Sequence, residues 1–225
     1  MWPATQTRPD ISYATGVLAK YLRKPTDKHV CAAKRVCRYL KGTRNHGLAF
    51  IGTDTNNPNL EGFTDASWGD DLDTQKSTGG HVFKLCGGPI SWKSGRQPIV
   101  TLSSTEAEFV SLTVAAKEAA AIGRLLKELS PYQGPIEPIQ LFEDNQPAIN
   151  LTKRPLSDGR TKHIDIRWCY IQQQINKGAI KVSWISTNDQ AADGLTKALD
   201  RVKFAMFREL IGVVDCTSAI NGITV

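Results

Sequence analysis

The spacing of apolar residues divides the chain into a helical start, a run of short strands, and then helices alternating with strands. Between Pro9 and Leu22, D-I-S-Y-A-T-G-V-L-A-K-Y-L carries apolar residues at helical spacing. Pro25-Thr26-Asp27 reads as a turn whose Thr26 or Asp27 caps a second helix. From Lys28 to Leu40 the same period places Val30, Ala33, Val36, Cys37 and Leu40 on one face. Lys34, Arg35, Arg38 and Lys41 fall on the other, and Gly42 ends the helix. The two segments predict a helical hairpin with one basic face. The polar stretch from Gly52 to Asn59 is the best linker.

Beyond the linker, L-E-G-F-T-D-A-S-W predicts a strand ending at Asp65. G-G-H-V-F-K-L-C, G-G-P-I-S-W and, after a turn at Ser94-Gly95, P-I-V-T-L-S-S predict further short strands. The longest helix starts at S-S-T-E-A-E-F (Ser103 to Phe109) and runs to about Leu129. Pro138 to Asp144 is another strand, and N-Q-P-A-I-N-L starts a short helix with Pro147 in its first turn. His163 to Lys177 is helical in period, A-I-K-V-S-W-I is the last strand, and the chain turns helical again from Asp189 through A-D-G-L-T-K. A final amphipathic run, F-A-M-F-R-E-L-I, precedes a polar tail. Three early strands with glycine turns suggest an antiparallel meander, and later strands separated by helices suggest parallel additions by right-handed crossover. The expected fold is an α/β sheet with helices packed on it.

Charge sharpens this picture. The 225 residues carry a net charge of +6, yet the first fifty contain ten basic residues against only Asp10 and Asp27, so the remainder is slightly acidic. A basic segment joined to an acidic body suggests a polyanion grip beside a carboxylate-bearing site. On the residues alone, the face of Lys34, Arg35, Arg38 and Lys41 serves either nucleic-acid backbone contact or solubility. The composition, 40% hydrophobic and 22% charged, is that of a globular protein. No apolar run approaches the roughly 18 residues of a membrane span, and M-W-P-A-T-Q-T-R-P-D does not read as a signal peptide. Cys31, Cys37, Cys86, Cys169 and Cys216 are scattered, without zinc or disulfide spacing, which suggests a reducing, intracellular setting, cytoplasmic or nuclear.

Four acids stand where strands end or helices begin: Asp65, Glu108, Asp144 and Asp193. Sites in open α/β sheets collect at such places. Carboxylates that converge repel unless cations sit among them, and a dense set of hard oxygens suits Mg²⁺ or Mn²⁺. Two such ions about 4 Å apart activate water and stabilise the leaving oxygen in phosphodiester cleavage. Taken singly, Asp65 and Asp144 also read as strand-end turn formers and Asp193 as an ordinary helix acid. The S-S-T-E-A-E-F turn offers two capping boxes, Ser103 with Glu106 and Thr105 with Glu108. Helical geometry separates the glutamates. Glu108 shares a face with Leu112, Ala115, Ala119, Ile122 and Leu126, an apolar stripe. Glu106 shares its side with Val110, Thr113, Lys117 and Arg124, and is expected to face water as the cap.

F-T-D-A-S-W-G-D, S-S-T-E-A-E-F, E-D-N-Q-P-A-I, T-K-H-I-D-I-R and D-Q-A-A-D-G-L-T-K, in this order, resemble the ribonuclease H domain of copia-type retrotransposon polyproteins. Upstream, T-R-P-D-I-S-Y-A and K-R-V-C-R-Y-L-K-G-T-R-N-H-G-L resemble the end of that family's reverse transcriptase. The resemblance implies a ribonuclease H-like three-layer fold, a mixed five-stranded sheet flanked by helices, with an N-terminal helical hairpin. It implies two-metal hydrolysis of the RNA strand of RNA–DNA hybrids, with Asp65, Glu108, Asp144 and Asp193 holding two Mg²⁺ (or Mn²⁺) ions. The partners implied are the hybrid and the remainder of the retrotransposon polymerase, and no membrane.

Residues 1–51 would then resemble the thumb or connection of a reverse transcriptase, 58–199 the ribonuclease H domain, and 200–225 a C-terminal helix and tail. Two departures qualify the carry-over. Cellular ribonucleases H that resemble this plan carry a histidine in the loop before the last aspartate, and W-I-S-T-N-D-Q-A-A-D has none. His163 is the nearest candidate, with a capping or packing role favoured, and His81 reads as structural. The Y-x-D-D motif of a polymerase is absent, so no polymerisation is expected from this chain. The competing expectation is an inactive nucleic-acid-binding remnant.

Overall fold

The computed structural model describes residues 1–50, 60–129, 138–153 and 162–217. The predicted linker from Gly52 to Asn59, the end of the polar tail and the side chain of His163 lie outside the described residues. A short helix α1 (Trp2–Gln6) and a 3₁₀ turn (Pro9–Ile11) lead into α2 (Ser12–Ala19), α3 (Asp27–Gly42) and a three-residue strand β1 (His46–Leu48). Then come β2 (Leu60–Ser67), β3 (Thr78–Leu85), β4 (Gly88–Arg96), α4 (Ser104–Leu129), β5 (Ile139–Glu143), α5 (Gln146–Leu151), α6 (Lys162–Asn176) and β6 (Ile180–Trp184). The chain closes with 3₁₀ turns at Thr187–Asp189 and Asp193–Leu195, helix α7 (Arg201–Leu210) and β7 (Val213–Asp215).

Five strands form one mixed sheet in the order β4-β3-β2-β5-β6. The β2–β3 and β3–β4 pairs are antiparallel, whereas β2–β5 and β5–β6 are parallel. This is the meander with parallel additions that the sequence pattern predicts, and it is the ribonuclease H-like plan. Alternation along the strands feeds two cores. Phe83, Leu141, Ile139 and Ile180 face α4 and α6, where they meet Phe109, Leu112, Ala115, Ala119 and Ile171. Phe63 and Val82 face the opposite way, against Ala191, Ala192, Leu195, Phe207, Ile211 and Val213. Small residues let α4 lie close to the sheet, and Gly62 of β2 does the same from below, since a Cβ there would meet Phe83 at 2.5 Å.

The structure revises several expectations. The first strand passes Asp65 and ends at Ser67. No turn interrupts β4 at Ser94-Gly95, because Ser94, Gly95 and Arg96 pair with Gly80, Gly79 and Thr78. P-I-V-T-L-S-S is not a strand: Gln97 N makes the last bond, to Ser77 O at 2.8 Å, and Pro98 has no N–H to carry the ladder on. Val100 and Leu102 are consequently exposed. The D-Q-A-A-D-G-L-T-K run forms two 3₁₀ turns, with no α-helix. The buried Gln190 explains this. Its Nε2 donates to Thr64 O (3.0 Å) and its Oε1 accepts from Ala192 N (3.2 Å), so side-chain bonds replace those of a helix.

The N-terminal hairpin exists, and Tyr21 stacks on His29 at its turn (centroids 3.9 Å apart). No residue of α3 is fully buried. Val30, Ala33 and Cys37, expected on the packed face, are exposed, and Lys34, Arg35, Arg38 and Lys41 are exposed as expected. The segment is fastened mainly by polar anchors. Ala4 O accepts from Trp92 Nε1 (2.7 Å) of β4 and from Ser12 Oγ (2.6 Å). The buried pair Arg8–Asp10 is bidentate (3.0 and 2.7 Å), and Tyr39 of α3 donates to the same carboxylate at 2.5 Å. Tyr39 also packs edge-on against Phe204 of α7 (5.6 Å). Strands β1 and β7, too short to show a period, pair antiparallel. Among the described residues, no helix is long and apolar enough to cross a membrane.

A candidate active site of converging carboxylates

The order of elements brings the acids together. Asp65 lies near the C-terminal end of the central strand β2, Asp144 directly follows its parallel neighbour β5, and Glu108 sits at the start of α4. Oxygen atoms of these three carboxylates lie within 4.8 Å of one another. The helix start is built by Ser103, whose Oγ accepts from Glu106 N at 3.1 Å. Glu106 does cap, accepting from Leu102 N (2.7 Å), but it is buried and does not face water.

Asp65 is 3% exposed. The Thr196 hydroxyl donates to its Oδ2, and Ser111 Oγ donates to its backbone oxygen at 2.9 Å. Burial pushes the Asp65 carboxyl up to about 6, with Lys197 and Thr196 opposing that shift. Glu108 is 7% exposed and its Oε2 has no hydrogen-bond partner among the described residues. Burial holds it protonated far above the usual carboxyl range, and the neighbouring carboxyls of Glu143, Asp65 and Asp144 add to this, against support from the Ala66 amide. Asp144 is half-buried. Its Oδ2 accepts from Thr187 Oγ1 (2.7 Å), and its backbone oxygen from Trp184 Nε1 (3.2 Å).

Asp193, the fourth predicted acid, is not part of this close set. It forms an ion pair with Lys197, four residues on, and acts on Asp65 through its charge. Its place is fixed by the turn it opens. Leu195 and Thr196 press on Gly80, where a Cβ would stand 2.8 Å from Leu195 Cβ, and Gly80 is the strand partner of Asp65. His81, next in β3, is buried against Phe83, and burial pushes it down to about 4, so it is a neutral packing residue.

Sequence reasoning missed Glu143, Thr196 and Lys197. Glu143 is fully buried, its Oε1 accepts from Asn145 N (3.1 Å), and its Oε2 is unpartnered among the described residues. Burial, with Asp65 and Asp144 adding to it, pushes it well above the usual range. The signal was present: Ile139, Leu141 and Glu143 alternate onto the same buried face of β5. Buried carboxyls left without donors are costly. A hard divalent cation bound by Asp65, Glu108 and Asp144 relieves that cost, so the donor set fits Mg²⁺ or Mn²⁺.

No family model matches the chain. Two plant relatives match nearly all of it. The retrovirus-related Pol polyprotein from transposon TNT 1-94 of Nicotiana tabacum is 41% identical over 213 residues, 95% of this chain and 16% of the polyprotein. That from transposon RE2 of Arabidopsis thaliana is 41% identical over 217 residues, 96% of this chain and 15% of the polyprotein. The chain thus spans about one sixth of the length of these relatives. Among solved structures, RNase H1 from the halophilic archaeon Halobacterium salinarum aligns with 61% of this chain and 93% of its own at 16% identity, with a TM-score of 0.43. That likeness is too distant to add to the assignment. On its sequence, and in keeping with the copia-type motifs it carries, the chain belongs to the family of retrovirus-related Pol polyproteins of transposons.

Proposed function

We propose that this chain is the ribonuclease H-type nuclease of a retroelement and hydrolyses the RNA strand of RNA–DNA hybrids with divalent metal ions. The observation that carries the reading is the meeting of Asp65, Glu108 and Asp144 at one end of a ribonuclease H-like sheet. These three would hold one Mg²⁺ or Mn²⁺, with Asp65, Asp144 and Asp193 facing a second. Bound there, the ions would supply an activated water and charge neutralisation at the leaving 3′-oxygen. The remaining work belongs to side chains. Thr196 orients Asp65, Thr187 and Trp184 orient Asp144, and burial of Glu108 aims one oxygen into the site. The exposed basic face of Lys34, Arg35, Arg38 and Lys41 would hold the duplex backbone, and the RNA 2′-hydroxyl would distinguish the strand to be cut. Within a polyprotein, the rest of the polymerase would be the partner.

The test is cleavage of a labelled RNA–DNA hybrid, with and without Mg²⁺, beside Asp65→Asn. Metal-dependent cutting of the RNA strand that Asp65→Asn abolishes is the expected result. Absence of cleavage would favour the inactive nucleic-acid-binding remnant, and equal cutting of duplex DNA would remove the hybrid specificity.

A further inference from the structure

Lys197 brings a positive charge close enough to the carboxylates to act on Asp65. Its ammonium pairs with Asp193, and its side chain is 44% exposed while that of Asp193 is 14% exposed, so the acid is the more buried member of the pair. The lysine is not a loose surface residue. Its immediate neighbour Thr196 is fully buried and bonded to Asp65, and Leu195 is packed against Gly80 and the Phe207 core. This segment therefore enters the site by a fixed path. Asp65, Asp193 and Asp144 all stabilise the charge on Lys197, and Lys197 is the strongest neighbouring influence favouring the ionised form of Asp65. The result is an unequal division of the acids. Asp65, Glu108 and Asp144 share a small volume, whereas Asp193 is committed to Lys197.

We infer that Lys197 is a tethered positioning cation that takes the charge-compensating place of one of two metal ions. The chain then binds one divalent ion tightly, at Asp65, Glu108 and Asp144, and a second only by displacing Lys197 from Asp193. This rests on the metal-dependent reading above and refines it. A second ion must displace Lys197 from Asp193 and approach its positive charge, and both effects weaken it relative to the first. The arrangement also separates the two roles of the last aspartate, which holds Lys197 in the resting site and is released to a metal only when the lysine moves.

Counting bound ions tests this directly. Mn²⁺ is titrated into the full chain and free Mn²⁺ followed by electron paramagnetic resonance, for wild type, Lys197→Met, Lys197→Arg and Asp65→Asn. Wild type is expected to bind one ion, with any second at least about tenfold weaker. Lys197→Met removes the charge at similar volume and is expected to bring the second ion to within roughly threefold of the first. Lys197→Arg, which keeps the charge, is expected to retain one-ion binding, and Asp65→Asn to lose the tight ion. Circular dichroism and thermal melting establish that each variant is folded. Two ions of equal affinity in wild type, or an unchanged isotherm in folded Lys197→Met, overturn the role of Lys197 and leave the metal-dependent reading standing. No Mn²⁺ bound by folded wild type overturns both.

Discussion

Titration of the metal-free protein with Mg²⁺ near pH 7.5 is expected to release about one proton per ion bound, because a carboxylate ligand must be ionised. The proton comes from Glu108. Its carboxyl is buried at the start of α4, among Glu143, Asp65 and Asp144, and burial first and like charge second keep it protonated at neutral pH. Asp65, raised from 3.8 to about 6, is already mostly ionised there and adds little. Near pH 6 Asp65 is half protonated, so release is expected to rise toward about 1.5 protons. The sign follows from linkage. Both acids have folded values above their unfolded ones, so their contribution to stability is complete below the unfolded values and is lost as pH rises toward the folded values. For Asp65 the window runs from 3.8 to about 6 and amounts to about 3 kcal/mol, at ~1.36 kcal/mol per pH unit. For Glu108 the loss continues past neutrality. The metal-free protein is therefore expected to become less stable from about pH 5 to 8, while metal affinity rises about tenfold per pH unit. Isothermal calorimetry in buffers of different ionisation enthalpy gives the proton count as the slope of apparent enthalpy. A slope of zero near pH 7.5, or an affinity flat from about pH 7 to 8.5, would refute the buried, protonated Glu108.

Other predictions probe the frame around the site. Asp10→Ala leaves the buried Arg8 guanidinium without its carboxylate and Tyr39 without its acceptor, and is expected to cost about 3–5 kcal/mol in chemical denaturation; a loss below about 1 kcal/mol contradicts the anchoring role. Gly194→Ala would place a Cβ 2.5 Å from Phe207 Cδ1, so a loss of about 1–3 kcal/mol is expected, partly restored by Phe207→Leu. Arg35→Ala with Arg38→Ala is expected to lower the slope of log affinity for hybrid against log salt by about 1–2. An unchanged slope assigns that face to solubility alone.

The ribonuclease H-like plan was legible because each element leaves a period in the chain. β5 alternates, β2 and β3 are short runs buried on both faces, α4 repeats Leu112, Ala115, Ala119 and Ile122 at helical spacing, and glycine-containing turns separate the meander. Asp65, Glu108 and Asp144 were legible for a related reason, since strand ends and helix starts are local features and the acids stand on them. Where sequence reading failed, hydrogen bonding had overridden the apolar or helical pattern. Pro98 and the loss of a strand partner turned an apolar run into an exposed loop, and the buried Gln190 side chain replaced helical bonds in D-Q-A-A-D-G-L-T-K. Strands β1 and β7 could be seen only as a pair, because three residues carry no period and each is ordered by the other.

The chain by itself determined the central strands, the long helix α4 with its apolar stripe, and which acids stand where a site could assemble. Those properties depend on neighbours a few positions apart. Tertiary structure decided the rest. It buried Glu106 as well as Glu108, placed Glu143 near enough to act electrostatically on Glu108, and left much of the apolar face of α3 exposed. It also drew three of the four acids within 4.8 Å and left Asp193 outside that close set. Desolvation and charge pairing depend on distance in space, and segments far apart in sequence meet only once the sheet has closed their separation.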